Sequence, residues 1–182
     1  MNEPTLAQLT QLLWPNGDHL QSPQVYWLLD GARDPDIAGL VRFGNLEHAC
    51  LFTGRLHPRL QAAAPYLVHL SAGSPTTNLL LGRGWGKAWG ILIVAPPNVT
   101  LNQQRLHFKK LLRVQTEDRR ELVFRFYDPR VLNLYLPTCT REECRTVFGP
   151  VSRFVAEEQM GRAVRVFEFQ SDDLRFQEHS LS

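Results

Sequence analysis

The sequence lacks the signals of export, of a membrane span and of nucleic-acid binding. Its first residues carry neither a basic leader nor the apolar stretch of a signal peptide. No window reaches the roughly 18 consecutive apolar residues that a membrane-spanning helix needs. The twenty Lys and Arg residues are scattered against eighteen Asp and Glu residues and form no basic cluster. These absences predict a cytoplasmic protein that inserts into no membrane and binds no nucleic acid.

Cysteine is scarce, and its spacing argues against a metal site. The three cysteines are an odd number in a chain without an export signal, which predicts reduced thiols. A zinc deaminase needs a Glu two residues after its His and two Cys separated by two residues. Here Cys50 follows His48 in place of that Glu, and four residues separate Cys139 from Cys144. The sequence therefore predicts no metal.

The glycine-rich stretch GRGWGKAWG, residues 82–90, is the nearest approach to a phosphate-binding loop. It lacks two required residues, because Leu81 stands at the first glycine position and Ala88 at the magnesium-binding Ser or Thr position. It also fails the dinucleotide pattern, since Lys87 replaces the third glycine and the stretch precedes a strand. A tight turn between a helix and a strand explains it better, so no cofactor is predicted.

Acidic residues offer the remaining route to catalysis. A small hydrolase or nuclease would use Asp30 and Asp128, with Glu121 as a third metal ligand. The spacing of these residues gives that grouping no support. Asp30 ends a strand ahead of a glycine, and Asp128 precedes Pro129 as a helix N-cap does. The sequence predicts no catalytic residues and no enzyme, with a site at Asp30 and Asp128 as an alternative.

The apolar pattern predicts an α/β fold. With 182 residues and 43% hydrophobic content, the chain can bury a sizeable core as one domain. Short runs rich in β-branched and aromatic residues predict a single mixed sheet of about six or more strands. The unbroken apolar run at residues 91–94 should lie at its centre with both faces covered. The predicted strands begin at Val25, Ala49, Tyr66, Trp89, Leu122 and Val164.

Capping signals place helices between these strands. Asp-Pro pairs open two helices, at Asp34 and Asp128, and capping boxes open two more, at Thr100 and Thr140. The polar cluster between Val114 and Tyr127, and Gly161 further on, predict hairpins that give the C-terminal end α+β character.

The predicted organisation has three parts. Residues 1–24 form an N-terminal helical segment, residues 25–170 a single α/β domain, and residues 171–182 a polar C-terminal tail that is loosely held.

Aromatic residues and arginines suggest a protein-binding surface. Trp, Tyr and Arg are the residue types enriched at interface hot spots. Trp85 and Trp89 flank the glycine-rich turn, and strand alternation in FRFYDPRV places Arg125 and Tyr127 together on one face, with Arg130 following. These five residues are the predicted protein-binding residues.

Several sequence blocks, in order, resemble a known bacterial family. LLDGARDP, LFTG, APYLVHL, WGKAWGILIV, FRFYDPRVLNLYLP and VFGPVSRFVAEE are similar to the type VI secretion effector-chaperone and adaptor family, catalogued as domain of unknown function 4123. The similarity runs over residues 25–158, and FRFYDPRV is its most specific part.

The resemblance implies a cytoplasmic chaperone or adaptor with an adaptor-like α/β domain and no reaction of its own. Its implied partners are one cognate secreted effector protein and a VgrG-type spike protein, onto which it helps to load the effector. An immunity-type protein that neutralises a toxin is an alternative, because the sequence alone does not separate the two kinds of binder.

Overall fold

The computed structural model describes residues 1–17, 22–115 and 118–181 of the chain. A seven-stranded sheet carries helices on both faces, with a two-stranded hairpin beside it. The strands of the large sheet are β1 (Gln24–Asp30), β2 (His48–Cys50), β3 (Pro65–Leu70), β4 (Gly90–Ala95), β7 (Arg153–Glu158), β8 (Ala163–Gln170) and β9 (Asp173–Ser180). The hairpin consists of β5 (Arg113–Gln115) and β6 (Glu121–Val123). The helices are α1 (Glu3–Leu13), α2 (Asp36–Phe43), α3 (Pro58–Ala62), α4 (Pro75–Gly84), α5 (Leu101–Leu111), α6 (Pro129–Tyr135) and α7 (Arg141–Phe148).

The predicted α/β class is confirmed, but the pairing of the strands differs from the mixed sheet expected. The order is β2-β3-β1-β4-β7-β8-β9, and every pairing within the described ranges is antiparallel. The helical connection through α4 does join two strands of the same direction, β3 and β4. Strand β1 lies between them and runs opposite to both, so they never pair. Strand β4 is central and every residue in it is buried, as predicted.

The sheet separates two hydrophobic layers, as the period-two alternation of strand side chains requires. Along β1, Val25, Trp27 and Leu29 face a layer formed with α1, α2 and α4, and Tyr26 and Leu28 face the other layer, formed with α5, α6 and α7. Among the described helices none combines the length and apolarity needed for a bilayer crossing.

Most of the capping signals act as predicted. Thr100 and Thr140 form capping boxes with Gln103 and Glu143 at the starts of α5 and α7. Asp128 caps α6 by accepting a hydrogen bond from the Arg130 backbone at 3.0 Å. These contacts satisfy backbone N–H groups that have no partner inside the helix.

The segment 122–127 is not one continuous strand, and this prediction was wrong. Strand β6 ends at Val123, and residues 124–127 belong to no strand. Phe126 and Tyr127 are consecutive and both buried, so the alternation of exposed and buried side chains fails here. Tyr127 is 2% exposed, and it is not displayed beside Arg125 on one open face.

The C-terminal segment 171–182 is not a loose tail in its described part. Residues 173–180 form β9, which pairs along its length with β8. Its polar sequence suits an edge strand whose side chains mostly face water, since charged side chains protect sheet edges from pairing with other chains. The prediction of a loosely held tail was wrong because it was based on the polarity of the segment alone.

Candidate protein-binding site

Three buried carboxylates lie at one end of the large sheet. Asp30 ends β1, Asp128 precedes α6, and Glu157 lies near the end of β7. We call Asp30, Asp128 and Glu157 the acidic cluster; their exposed fractions are 0%, 3% and 7%. Buried carboxylates require charged or hydrogen-bonding partners, and each of the three has them.

Asp30 joins β1 to the segment ahead of α6. Its Oδ1 accepts the backbone N–H of Ala32 at 3.0 Å, which forms the turn after the strand. Its Oδ2 accepts a hydrogen bond from the Arg125 guanidinium, and this side chain is 44% exposed. The pairing raises the pKa of Arg125, chiefly through that hydrogen bond. One surface arginine thus covers a buried acid that lies far away in sequence.

Asp128 combines a helix cap with an ion pair. Besides the backbone N–H of Arg130, it accepts Arg130 Nε at 2.9 Å and Nη2 at 2.5 Å. Burial alone would raise the pKa of the Asp128 carboxyl. The hydrogen bonds and positive charge of Arg130 outweigh burial and hold that pKa below its ordinary value. The bidentate contact also fixes the direction of the Arg130 side chain.

Glu157 is the acid that sequence reasoning missed. Its two carboxylate oxygens accept the backbone N–H groups of Gly86 and Ala88, each at 2.7 Å. Burial raises the pKa of this carboxyl, and the two amide hydrogen bonds oppose that rise. The amides of the glycine-rich stretch therefore do hold an anion, and it is a side chain of the same protein. The signal in the sequence was the pair of glutamates that ends the buried strand β7.

Two tight turns pack against each other beside this carboxylate. The Trp85 indole donates its N–H to the carbonyl of Gly161 at 3.0 Å. A Cβ at Gly86 would lie 2.8 Å from the Met160 carbonyl oxygen, and a Cβ at Gly161 would lie 2.8 Å from the Cα of Gly86. Both glycines have positive φ, so a side chain is excluded by conformation and by space. The Ala88 backbone also has positive φ, 54°, where Glu157 holds its amide.

A surface groove opens over these turns. It has a volume of about 460 Å³ and lies between α6, the turn at residues 86–88 and the end of β7. We call it the basic groove, and Arg33, Lys87, Arg130, Leu134 and Met160 are the border residues that matter here. Leu134 and Met160 are 77% and 79% exposed, which is high for large apolar side chains.

The five predicted binding residues all lie around this region, but in two different roles. Trp85, Trp89 and Tyr127 are buried, with exposed fractions of 7%, 2% and 2%. They support the turns and the acidic cluster from beneath. Arg125 and Arg130 reach the surface, with side chains 44% and 62% exposed. A partner at this surface would contact the arginines and not the three aromatic rings.

The geometry also locates the residues of the alternative enzyme site. Asp30 and Asp128 come near one another, since the charges of both act on Arg125. Asp30 is engaged by Ala32 and Arg125, and Asp128 by Arg130. Glu121 pairs with Arg113 on the exposed hairpin at 2.8 Å. Within residues 1–17, 22–115 and 118–181, no group of three or more His, Cys, Asp or Glu side chains is arranged to hold a metal.

The family described as "Domain of unknown function (DUF4123)" matches residues 25–146, which is more than half of the chain. The chain belongs to this family. DUF4123 is associated with the effectors of type VI secretion. The matched part of this DUF4123 protein holds Asp30, Asp128 and the glycine turn, whereas Glu157 and Met160 lie beyond it. No curated protein and no solved structure is significantly similar to the chain.

Proposed function

We propose that this DUF4123 protein is a non-catalytic adaptor of the bacterial cytoplasm. It binds one type VI secretion effector and helps to load that effector onto a VgrG-type spike protein. The observation that carries the proposal is the convergence of distant sequence blocks on one surface, since LLDGARDP, WGKAWG, FRFYDPRV and VFGPVSRFVAEE all contribute to the acidic cluster and the basic groove.

The buried and the exposed residues of these blocks have different roles, and this difference supports a binding function. Their buried members hold turns in place, since Asp30 accepts the N–H of Ala32, Trp85 donates to the carbonyl of Gly161, and Glu157 accepts the N–H of Gly86. Their exposed members are basic side chains that point outward around a groove with apolar borders. Rigid support under a charged and apolar rim lowers the entropy lost on association, because little has to be ordered when the partner arrives.

The dimensions fit an anchoring point within a larger contact. A protein interface of standard size buries about 800 Å² on each partner, and a few arginine and apolar anchors supply most of its binding energy. A groove of about 460 Å³ accommodates a short segment of a partner and not a whole interface. The rest of the contact would spread over the neighbouring surfaces of α6 and of the turns at residues 86–88 and 159–161.

The test is an affinity capture of the tagged protein from the bacterium that carries its gene, grown with the secretion system active. We expect mass spectrometry to identify a VgrG-type spike and one effector. Deletion of the gene should abolish delivery of that effector while a second, unrelated effector is still delivered. Recovery of neither protein would contradict the proposal. Protection of recipient cells from a toxin, with delivery unchanged, would favour the immunity alternative.

A further inference from the structure

Two cationic side chains at the border of the basic groove form no ion pair within the described part of the chain. The guanidinium of Arg33 and the ammonium of Lys87 are exposed, and neither has a carboxylate oxygen within 4.0 Å in the described part of the chain. The nearby carboxylates are buried: Glu157 accepts backbone N–H groups, and Asp128 accepts a backbone N–H and the guanidinium of Arg130. The charge of Arg33 acts on both acids without an ion-pair contact. Glu158, at the border, pairs with Arg165 at 2.8 Å. The exposed charges of Arg33 and Lys87 therefore border the groove directly, whereas the carboxylates of Asp128 and Glu157 lie beneath the surface.

Arg130 adds a guanidinium in a fixed direction, which is paired on one side with Asp128. Asp128 accepts from Nε and Nη2, and within the described part of the chain the remaining guanidinium N–H groups have no partner and can face a ligand, since the guanidinium carries five donors. The Arg130 side chain is 62% exposed. A guanidinium that is already held in place loses less entropy when it binds a carboxylate.

The apolar border is held in an unfavourable backbone conformation. Gln159, Met160 and Gly161 have consecutive positive φ values of 50°, 56° and 81°. An unbranched side chain such as Met rarely adopts this conformation, which costs on the order of 1 kcal/mol or more per residue. The contacts of Gly161 with Trp85 and Gly86 hold the turn, and the outcome is a Met side chain displayed to solvent beside the cations.

From this arrangement we infer that the basic groove binds an acidic segment of a partner protein that also carries an aliphatic side chain. The partner's carboxylates pair with Arg33, Lys87 and Arg130, and its aliphatic side chain packs against Leu134 and Met160. Charge complementarity selects an acidic occupant, and the exposed apolar border selects a polypeptide over a purely charged polymer. The inference rests on the proposed function for one point only, namely that the segment belongs to the effector.

A defined peptide tests the chemistry. The probe is a fluorescein-labelled, terminally blocked peptide that repeats Glu-Asp-Leu, and a peptide that repeats Lys-Lys-Leu is its control. Fluorescence anisotropy should show binding of the acidic peptide alone, weaker at high salt because ions screen exposed charges. The double variant Arg33→Glu with Lys87→Glu should raise the Kd at least about tenfold. Absence of binding by the wild-type protein, or equal binding of the basic peptide, would overturn the inference.

Matched variants separate a specific groove from general charge. Arg55→Glu with Arg59→Glu introduces the same change in charge at exposed positions outside the groove, and the Kd should stay within about twofold of wild type. Leu134→Ser with Met160→Ser keeps the charge and should weaken binding about tenfold, since apolar burial is lost. An equal loss in the Arg55 and Arg59 variant would overturn the inference, as would binding of oligothymidylate as tight as that of the peptide.

A capture experiment distinguishes this inference from the proposed function. Wild-type protein and the Arg33→Glu, Lys87→Glu variant are compared for effector recovery, after urea unfolding has shown equal stability. Loss of the effector in the variant alone supports the groove. Recovery by both proteins overturns the groove and leaves the adaptor role intact. Recovery of no effector by the wild-type protein contradicts the adaptor role itself, and the peptide measurement then decides the groove separately.

Discussion

Arg125 covers the buried carboxylate of Asp30 with a guanidinium that is itself partly in water. The pair ties the end of β1 to the segment that precedes α6. A carboxylate in such a position depends on its partner, since an isolated buried charge is unfavourable. Arg125 therefore stabilises the structure beneath the basic groove, and its side chain also reaches the surface beside the groove.

Arg125→Ala should lower the free energy of unfolding by about 2 kcal/mol. Breaking a fully buried ion pair costs about 3–5 kcal/mol, and the partial hydration of Arg125 reduces that figure. Urea denaturation measures the change. Asp30→Asn introduced together with Arg125→Ala should recover part of the loss, because no unpaired charge remains buried.

Arg113→Ala is the matched control for Arg125→Ala. Arg113 pairs with Glu121 on the exposed hairpin, where both side chains are mostly in water. Its loss should cost at most about 0.5 kcal/mol. Equal losses of stability in the two arginine variants would show that the pair of Asp30 and Arg125 stabilises the fold no more than an exposed ion pair does. The control matters for binding studies too, because lost binding in an Arg125 variant has to be separated from lost stability.

Replacing Glu157 should lower the free energy of unfolding, and the loss should be smaller when the new side chain keeps more of its hydrogen bonds. Glu157→Ala leaves the amides of Gly86 and Ala88 without an acceptor and should cost about 2–4 kcal/mol. Glu157→Gln keeps one oxygen acceptor and should cost about half as much. Urea denaturation at neutral pH gives both values, and Glu168→Ala on the adjacent strand β8 should change stability by less than about 0.5 kcal/mol. A neutral Glu157→Ala would mean that the turn is held without this carboxylate.

Asp128 should make the folded state more sensitive to acid. Its pKa is lower in the folded protein than in the unfolded chain, since Arg130 favours the charged form despite burial. Its contribution to stability is therefore complete above the ordinary Asp pKa and is lost as pH falls towards the folded value. Asp128→Asn keeps an N-cap side chain but loses the charge. The stability difference between wild type and Asp128→Asn should be largest near pH 7 and shrink below about pH 4, near the ordinary Asp pKa. A difference that is constant with pH would contradict this assignment.

Local sequence signals predicted most of the helix starts and the central strands. The capping boxes at Thr100 and Thr140, and the cap at Asp128, depend on residues within three positions, so the sequence shows them directly. The buried strand β4 appears as an unbroken apolar run for the same reason. Such elements carry their information within one turn or one strand.

The site itself depends on contacts that no local pattern contains. Glu157 meets its amides about 70 positions away in sequence, and Asp30 meets Arg125 at 95 positions. Residues 124–127 leave the strand pattern because the chain turns here and buries Phe126 and Tyr127 together. The composition of Trp, Tyr and Arg located the region, but only the fold separates supporting aromatic rings from exposed arginines.

The packing of the two turns beneath the basic groove can be tested at Gly86. Gly86 and Gly54 have similar positive φ values, 85° and 89°, so Ala at either position meets comparable backbone strain. A Cβ at Gly54 meets open space, whereas a Cβ at Gly86 lies 2.8 Å from the Met160 carbonyl oxygen. Gly54→Ala should cost about 1 kcal/mol, and Gly86→Ala about 2–4 kcal/mol because the turn at Met160 must also move. Urea denaturation measures the free energy of unfolding of both variants, and the difference between them gives the cost of the steric clash.

Gly86→Ala should also weaken binding of the acidic peptide, since Met160 is displaced, while Gly54→Ala should not. Equal stabilities of the two variants would show that the turns are not in close contact, and the rigid support inferred for the groove would then be wrong.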